Sequence, residues 1–181
     1  MPDHHIGRVH YFTARIKVSL GDDAQSPLRQ QIYLRALVTD PRVTVHFGKF
    51  RIDPRPYPVH PAELDPDTGK LKTVMVRRPE EKGSDVNLAT RMLSDAFQNG
   101  ADHCVVLTND SDQVGPLLTM KQEFGKAIGI IFPMASHRSS KELYRTGPDF
   151  VGHVTREDLL ASQFPTVLRD GVGEFRRPAA W

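Results

Sequence analysis

A chain of 181 residues with 39% hydrophobic and 25% charged residues is long enough to bury a core of its own and is read as one domain of ordinary size. Its formal charge of +2 is far from the strongly basic balance of a protein that holds nucleic acid by charge alone. No apolar run reaches the roughly 18 residues of a membrane helix, the first residues do not form a signal peptide, and the single cysteine, Cys104, excludes an intrachain disulfide. No membrane partner and a cytoplasmic location are therefore expected. Cys104 lies within Cys104-Val105-Val106-Leu107 and reads as a buried, unreactive thiol.

Residues 7–18 are aromatic and β-branched, which predicts a strand. Ser26 before Pro27 predicts a helix N-cap, with Leu28, Ile32, Leu34 and Leu37 carrying the helix toward Asp40-Pro41. Residues 43–50 alternate as a second strand. A strand, helix and strand in this order predict a crossover and hence a parallel pair. Residues 51–70 hold Pro54, Pro56, Pro58, Pro61 and Pro66, which predicts an irregular excursion, and residues 71–77 a short strand. Ser84 is expected to cap a helix through Val86, Ala89, Met92, Leu93 and Phe97 that stops at Asn99-Gly100.

Residues 103–108 read as a compact buried strand, 114–124 as a helix ended by Gly125, and 127–132 as another buried strand. Ser139 with Glu142 suggests a capping box for a short helix through Leu143 and Tyr144. A last strand at 149–154, a helix at 155–162 and a turn at Asp170-Gly171 complete the chain. Strands alternating with helices predict a mostly parallel α/β sandwich, with residues 1–154 as the domain, the proline-rich insertion at 51–70, and residues 155–181 as a helix and tail packed on it.

The chemistry concentrates in two acidic segments. Asp110 and Asp112 stand two apart at the exit of a strand, the edge at which α/β sheets carry their active sites, and Asp85 opens a helix. Converging carboxylates repel unless a cation or proton is shared, and magnesium and manganese prefer such oxygen ligands. Two explanations stand side by side here: a metal site, or Asp112 as a helix cap and Asp85 as a favourable acid in a first helical turn. Lys82 is a candidate to hold a phosphate, and Asn109 and Ser111 to orient water or ligands, with solvation and turn formation as the plain alternatives.

Asp95, ten residues beyond Asp85 on the same helix, points elsewhere and is expected at the surface. Arg77-Arg78, Arg176-Arg177 and the Arg51/Arg55 pair read first as solvated arginines and second as phosphate contacts. Eight histidines occur without zinc-like spacing on one helix. The Gly-x-Ser-x-Gly elbow, the Walker phosphate loop and the Gly-x-Gly-x-x-Gly fingerprint are absent, which removes the usual hydrolase, NTPase and dinucleotide readings.

Lys82-Gly83-Ser84-Asp85-Val86-Asn87-Leu88-Ala89 and the strand ending in Asn109-Asp110-Ser111-Asp112, in this order and with a helix between them, resemble the NYN-domain branch of the PIN-like nuclease superfamily, which includes LabA-like bacterial proteins. The resemblance runs from the first strand to about Val154. It implies a PIN-like three-layer α/β/α sandwich and a magnesium- or manganese-dependent endoribonuclease acting on RNA, in which Asp85, Asp110 and Asp112 hold the metal and activate water. By position, Asp149 would be a fourth acid, with a strand-entry role as its alternative. The family opens with a central strand bearing Asp and then a helix, and no such pair precedes residue 7. A truncated start, a second chain supplying the piece (another copy included), and lost catalysis are the three explanations. A non-catalytic RNA-binding module and a haloacid-dehalogenase-type phosphatase, suggested by Asp110-Ser111-Asp112 after an apolar strand, are the competing functions.

Overall fold

The computed structural model describes residues 5–17 and 23–180; Val18 at the end of the first expected strand, residues 1–4 and residue 181 lie outside them. Strand β1 (Val9–Ala14), helix α1 (Ser26–Leu37) and strand β2 (Val43–Arg51) form the expected crossover, with β1 and β2 parallel and Val9 opposite Val43. Ser26 is already helical, and Gln25 is the flanking residue, without a side-chain cap. The carbonyl of Asp23 accepts the Ser26 N–H instead, at 3.1 Å.

The expected irregular excursion contains a two-stranded ribbon, β3 (Pro54–Pro58) antiparallel to β4 (Thr73–Arg77). Successive N–H groups of a strand point to opposite edges, so proline at every second position gathers the missing donors on one edge and leaves the other whole for pairing. Strand β5 (Glu80–Lys82) then pairs antiparallel with the end of β2, giving a first sheet ordered β5-β2-β1.

Helix α2 (Ser84–Phe97) leads to a second sheet, wholly parallel, of β6 (His103–Leu107), β7 (Ala127–Phe132) and β8 (Phe150–His153) in that order. Helices α3 (Val114–Gln122) and α4 (Lys141–Arg145) are its crossovers. Leu117 and Met120 of α3, Leu143 of α4, and Val106, Ile128, Ile130 and Phe132 of the strands form the core, joined by Met92 and Ala96 of α2. α2 packs on β1 and β2 as well, so one helix spans both sheets. Among the described residues β1 and β6 are each an end strand.

Two expectations change here. β6 is buried on one face only: Val106 points into the core while Val105 and Leu107 are 47% and 57% exposed. The short helix α4 is flanked by Ser140 rather than capped by Ser139, whose hydroxyl lies 3.3 Å from His153 Nε2. The capping box falls instead on Thr155 and Asp158 at the start of α5 (Arg156–Ala161). The tail ends in a hairpin, β9 (Val167–Asp170) and β10 (Gly173–Arg176), turning at the expected Asp170-Gly171. Arg35 of α1 donates to both Asp170 carboxylate oxygens, at 2.5 and 2.6 Å, and its guanidinium lies over the Phe175 ring. No described helix is long and apolar enough to cross a membrane.

Candidate acidic site

Two corners of the fold present the acids. The first is the turn from β5 into α2. Gly83, at φ +93°, takes the flanking position that Ser84 was expected to fill, a backbone conformation that side chains rarely accept. Ser84 is the first helical residue, and its hydroxyl donates to the Glu81 carboxylate. Gly48 of β2 makes the tight approach possible, since a Cβ there would lie 2.7 Å from Ser84 Oγ and 2.8 Å from the Lys82 carbonyl oxygen. Asp85 therefore sits in the first turn of α2, beside the carboxyl end of the β1–β2 pair.

The second corner is the exit of β6. Thr108 Oγ1 accepts the Asp110 N–H at 3.0 Å, and Asp110 Oδ1 accepts the Asp112 N–H at 3.0 Å, which starts a 3-10 turn over Ser111–Gln113 that runs into α3. The capping role weighed for Asp112 is thus filled by Asp110. Asp112 and Ser111 stand exposed in the turn.

The two corners meet. Burial raises the Asp85 carboxyl above the usual carboxylate range, and the charges of Asp110, Glu81 and Asp112 raise it further. Glu81 is the acid that sequence reasoning missed. Its signal was local: a carboxylate four residues before Asp85, across a glycine turn that folds it back toward the helix start. Among the described residues no three acid, histidine or cysteine side chains converge closely enough to enclose a metal ion. The donor chemistry is nonetheless that of an oxygen-seeking divalent cation, which commonly takes one or two carboxylates and completes its shell with water and substrate phosphate.

The remaining candidates have structural partners. Lys82 Nζ is 3.0 Å from a Glu80 carboxylate oxygen. Asn109 Oδ1 accepts the Ser140 N–H at 2.8 Å and its Nδ2 donates to the Arg138 carbonyl at 3.4 Å, tying the exit of β6 to the start of α4. Asp149 accepts the Ile128 N–H at 3.0 Å, which holds its carboxyl below the usual range, and has Lys121 Nζ at 3.5 Å. Ile128 is opposite Cys104 near the entry of β6, so Asp149 and Asp110 lie at opposite ends of the sheet, separated by at least about 10 Å of strand. Asp149 has the strand-entry role and does not join the other acids.

Asp95 is not the surface residue expected. Only 19% of its side chain is exposed, with His10 Nε2 at 3.0 Å, Arg91 Nη1 at 3.6 Å and Arg8 Nη1 at 3.9 Å. His10 Nδ1 is in turn 2.9 Å from His46 Nε2, and Phe12 stacks on the His46 ring at 4.8 Å. Spacing within one helix could not reveal a histidine pair that forms across two parallel strands. Cys104 is partly buried, and burial pushes its thiol up to about 11, in keeping with the unreactive reading.

No family model matches the sequence. The 6-hydroxy-3-succinoylpyridine 3-monooxygenase HspA of Pseudomonas putida is 28% identical over 179 residues, covering 96% of this chain and 57% of that protein. The chain thus spans little more than half the length of this relative. A crystal structure of a protein of unknown function from Vibrio parahaemolyticus aligns with a TM-score of 0.46 at 14% identity, covering 80% of this chain and 67% of that one.

Proposed function

We propose that this chain is a metal-dependent endoribonuclease of the NYN branch of the PIN-like nucleases, hydrolysing RNA phosphodiester bonds at Asp85, Asp110 and Asp112. The observation that carries this reading is that Asp110 and Asp112, from a distant segment, join burial in raising the proton affinity of Asp85 where the two sheet corners adjoin. Plain helix capping would not gather them: Asp110 already serves its own turn through one oxygen, and Asp85 would be as favourable in any first turn. Asp85, Asp112 and the remaining oxygen of Asp110 would hold Mg2+ or Mn2+, which when bound supplies charge neutralisation on the attacked phosphate and acidifies water. With the ion bound, the same acids would activate the attacking water.

The fold we assign is a three-layer α/β/α sandwich in which an added parallel strand lies between β1 and β6. Among the described residues both strands have an unpaired edge, α2 packs on β1 and shares the core with Val106 of β6, and the carboxyl ends of both strands lie on the side of the acids. A strand inserted there would end beside Asp85 and Asp110.

The test is cleavage of a single-stranded RNA with Mn2+ by wild type and by Asp110→Asn. A loss of at least about 100-fold is expected for the variant; equal activity in the two proteins would refute the reading. RNA binding without cleavage by wild type would favour the non-catalytic module. The phosphatase reading has no support from Asn109, which is engaged in backbone contacts.

The relative's name supports a second reading, hydroxylation of 6-hydroxy-3-succinoylpyridine or a similar ring, because the likeness extends over nearly the whole of this chain. Conversion of that pyridine by the isolated chain supplied with dioxygen and a two-electron reductant, one oxygen atom entering the ring and the other leaving as water, and unaffected by Asp110→Asn, would establish it in place of the nuclease.

A further inference from the structure

A shallow, open polar cavity of about 320 Å3 lies between α2 and β2, lined by His46, Phe47, Asn87, Thr90, Arg91 and Ser94. We propose that it is a binding site for a phosphate group. Its lining offers an amide, two hydroxyls, a guanidinium and an imidazole, and no carboxylate, which suits an anion and repels no part of it.

The charge behind the cavity is arranged for the same purpose. Asp95 stands on the far side of Arg91 and is shared between Arg91 and Arg8, so the two guanidinium groups leave one positive charge over. The Arg91 side chain is 39% exposed and keeps donors for a ligand. His10 Nε2 lies 3.0 Å from an Asp95 carboxylate oxygen, without the alignment of a hydrogen bond. His10 Nδ1 and His46 Nε2 share one hydrogen bond across a 2.9 Å contact.

An anion beside Arg91 would raise the proton affinity of His46. Without a ligand, burial and the neighbouring His10 and Arg91 lower the proton affinity of His46, with Asp95 opposing them. Cys104, which faces Asp95 from β6, stays protonated and adds no charge. Phe12 stacked on the imidazole holds its plane in position.

The site is separate from the acids. Arg91 is six residues beyond Asp85, about 9 Å along the helix axis and turned by about 120° around it. It stands whether or not the acids cleave RNA, and its phosphate can come from a nucleic acid backbone or from a small phosphorylated molecule.

Histidine-detected NMR on the full chain tests it, with inorganic phosphate, a 5′-mononucleotide and a short single-stranded oligoribonucleotide as probes. Saturable movement of the His46 signal, a raised His46 pKa in the complex, and affinity at least tenfold weaker in Arg91→Gln are expected. Asn87→Ala leaves the Asp95 contacts untouched and should weaken binding severalfold, which guards against misfolding of the first variant; thermal melts check both. An oligoribonucleotide bound tenfold tighter than inorganic phosphate identifies a nucleic acid backbone, and equal affinity a small phosphate ligand; both support the site. A His46 signal unmoved by all three probes, or moved equally in wild type and both variants, overturns it.

Discussion

Asp85→Asn separates a gathered set of acids from an ordinary first-turn acid, because the two readings predict stability changes of opposite sign. A lone first-turn carboxylate stabilises its helix by about 0.3–1 kcal/mol, and its removal should lower the melting temperature. In the structure the Asp85 carboxyl is instead raised, by burial first and then by Asp110, Glu81 and Asp112. A raised carboxyl binds its proton more tightly folded than unfolded, so the fold is favoured below the ordinary carboxylate range and penalised as pH rises through the raised value. Asp85 is largely exposed, so solvent screening keeps each repulsion to a few tenths of a kcal/mol, and three of them sum to about 1 kcal/mol. Asp85→Asn should therefore raise the melting temperature at pH 7 by about 2–4 °C, and by almost nothing near pH ~3. Scanning calorimetry at the two pH values measures this. Manganese supplies a second arm: at a hundred times its dissociation constant a bound cation stabilises by about 2.7 kcal/mol, and the variant should lose most of that gain. A lower melting temperature for Asp85→Asn at pH 7, with an unchanged response to manganese, would refute the clustering.

Gly48→Ala would place a methyl group 2.8 Å from the Lys82 carbonyl oxygen, a backbone atom that cannot rotate away. A loss of about 1–3 kcal/mol, read by urea unfolding, is expected together with weaker manganese binding, because the start of α2 must retreat from β2. Asp170→Asn should release the β9–β10 hairpin from α1, seen as faster amide exchange of residues 167–176 at pH 7. Arg35 holds the Asp170 carboxyl well below the usual range, so in wild type this attachment persists at neutral pH and is lost only as acid titrates the carboxyl through its lowered value. The open edges of β1 and β6, with Val105 and Leu107 exposed beside them, predict self-association in light scattering; a clean monomer at every concentration would count against the inserted strand.

Most of the chain order was legible because its signals are local. β1, α1 and β2, then β6, α3 and β7, carry their patterns within a few residues of sequence, and each parallel pairing follows from the helix between its strands. The proline ribbon was illegible because alternation of proline, not its abundance, decides whether a strand keeps one good edge. The same distinction explains the sites. Asp85 and Asp110 were found because each occupies a corner that the local pattern marks, a helix start and a strand exit. The influence of Asp110 on Asp85 could be expected only from the topology that brings those corners together.

The Asp95, His10 and His46 chain has no local mark at all. His10 alternates normally in β1, His46 in β2, and Asp95 looks like one more polar residue on an amphipathic helix. Only the parallel register, which sets Phe12 opposite His46, and the passage of α2 over both strands turn them into a linked set. A polar contact of that kind under a helix that also buries Met92 and Ala96 makes α2 the hinge between the two halves of the molecule: its first turn presents Asp85, its middle faces the anion cavity, and its apolar side joins the core. A change that shifts this one helix, as Gly48→Ala should, is therefore expected to disturb both sites together, whereas Asp110→Asn should leave the His46 signal unmoved.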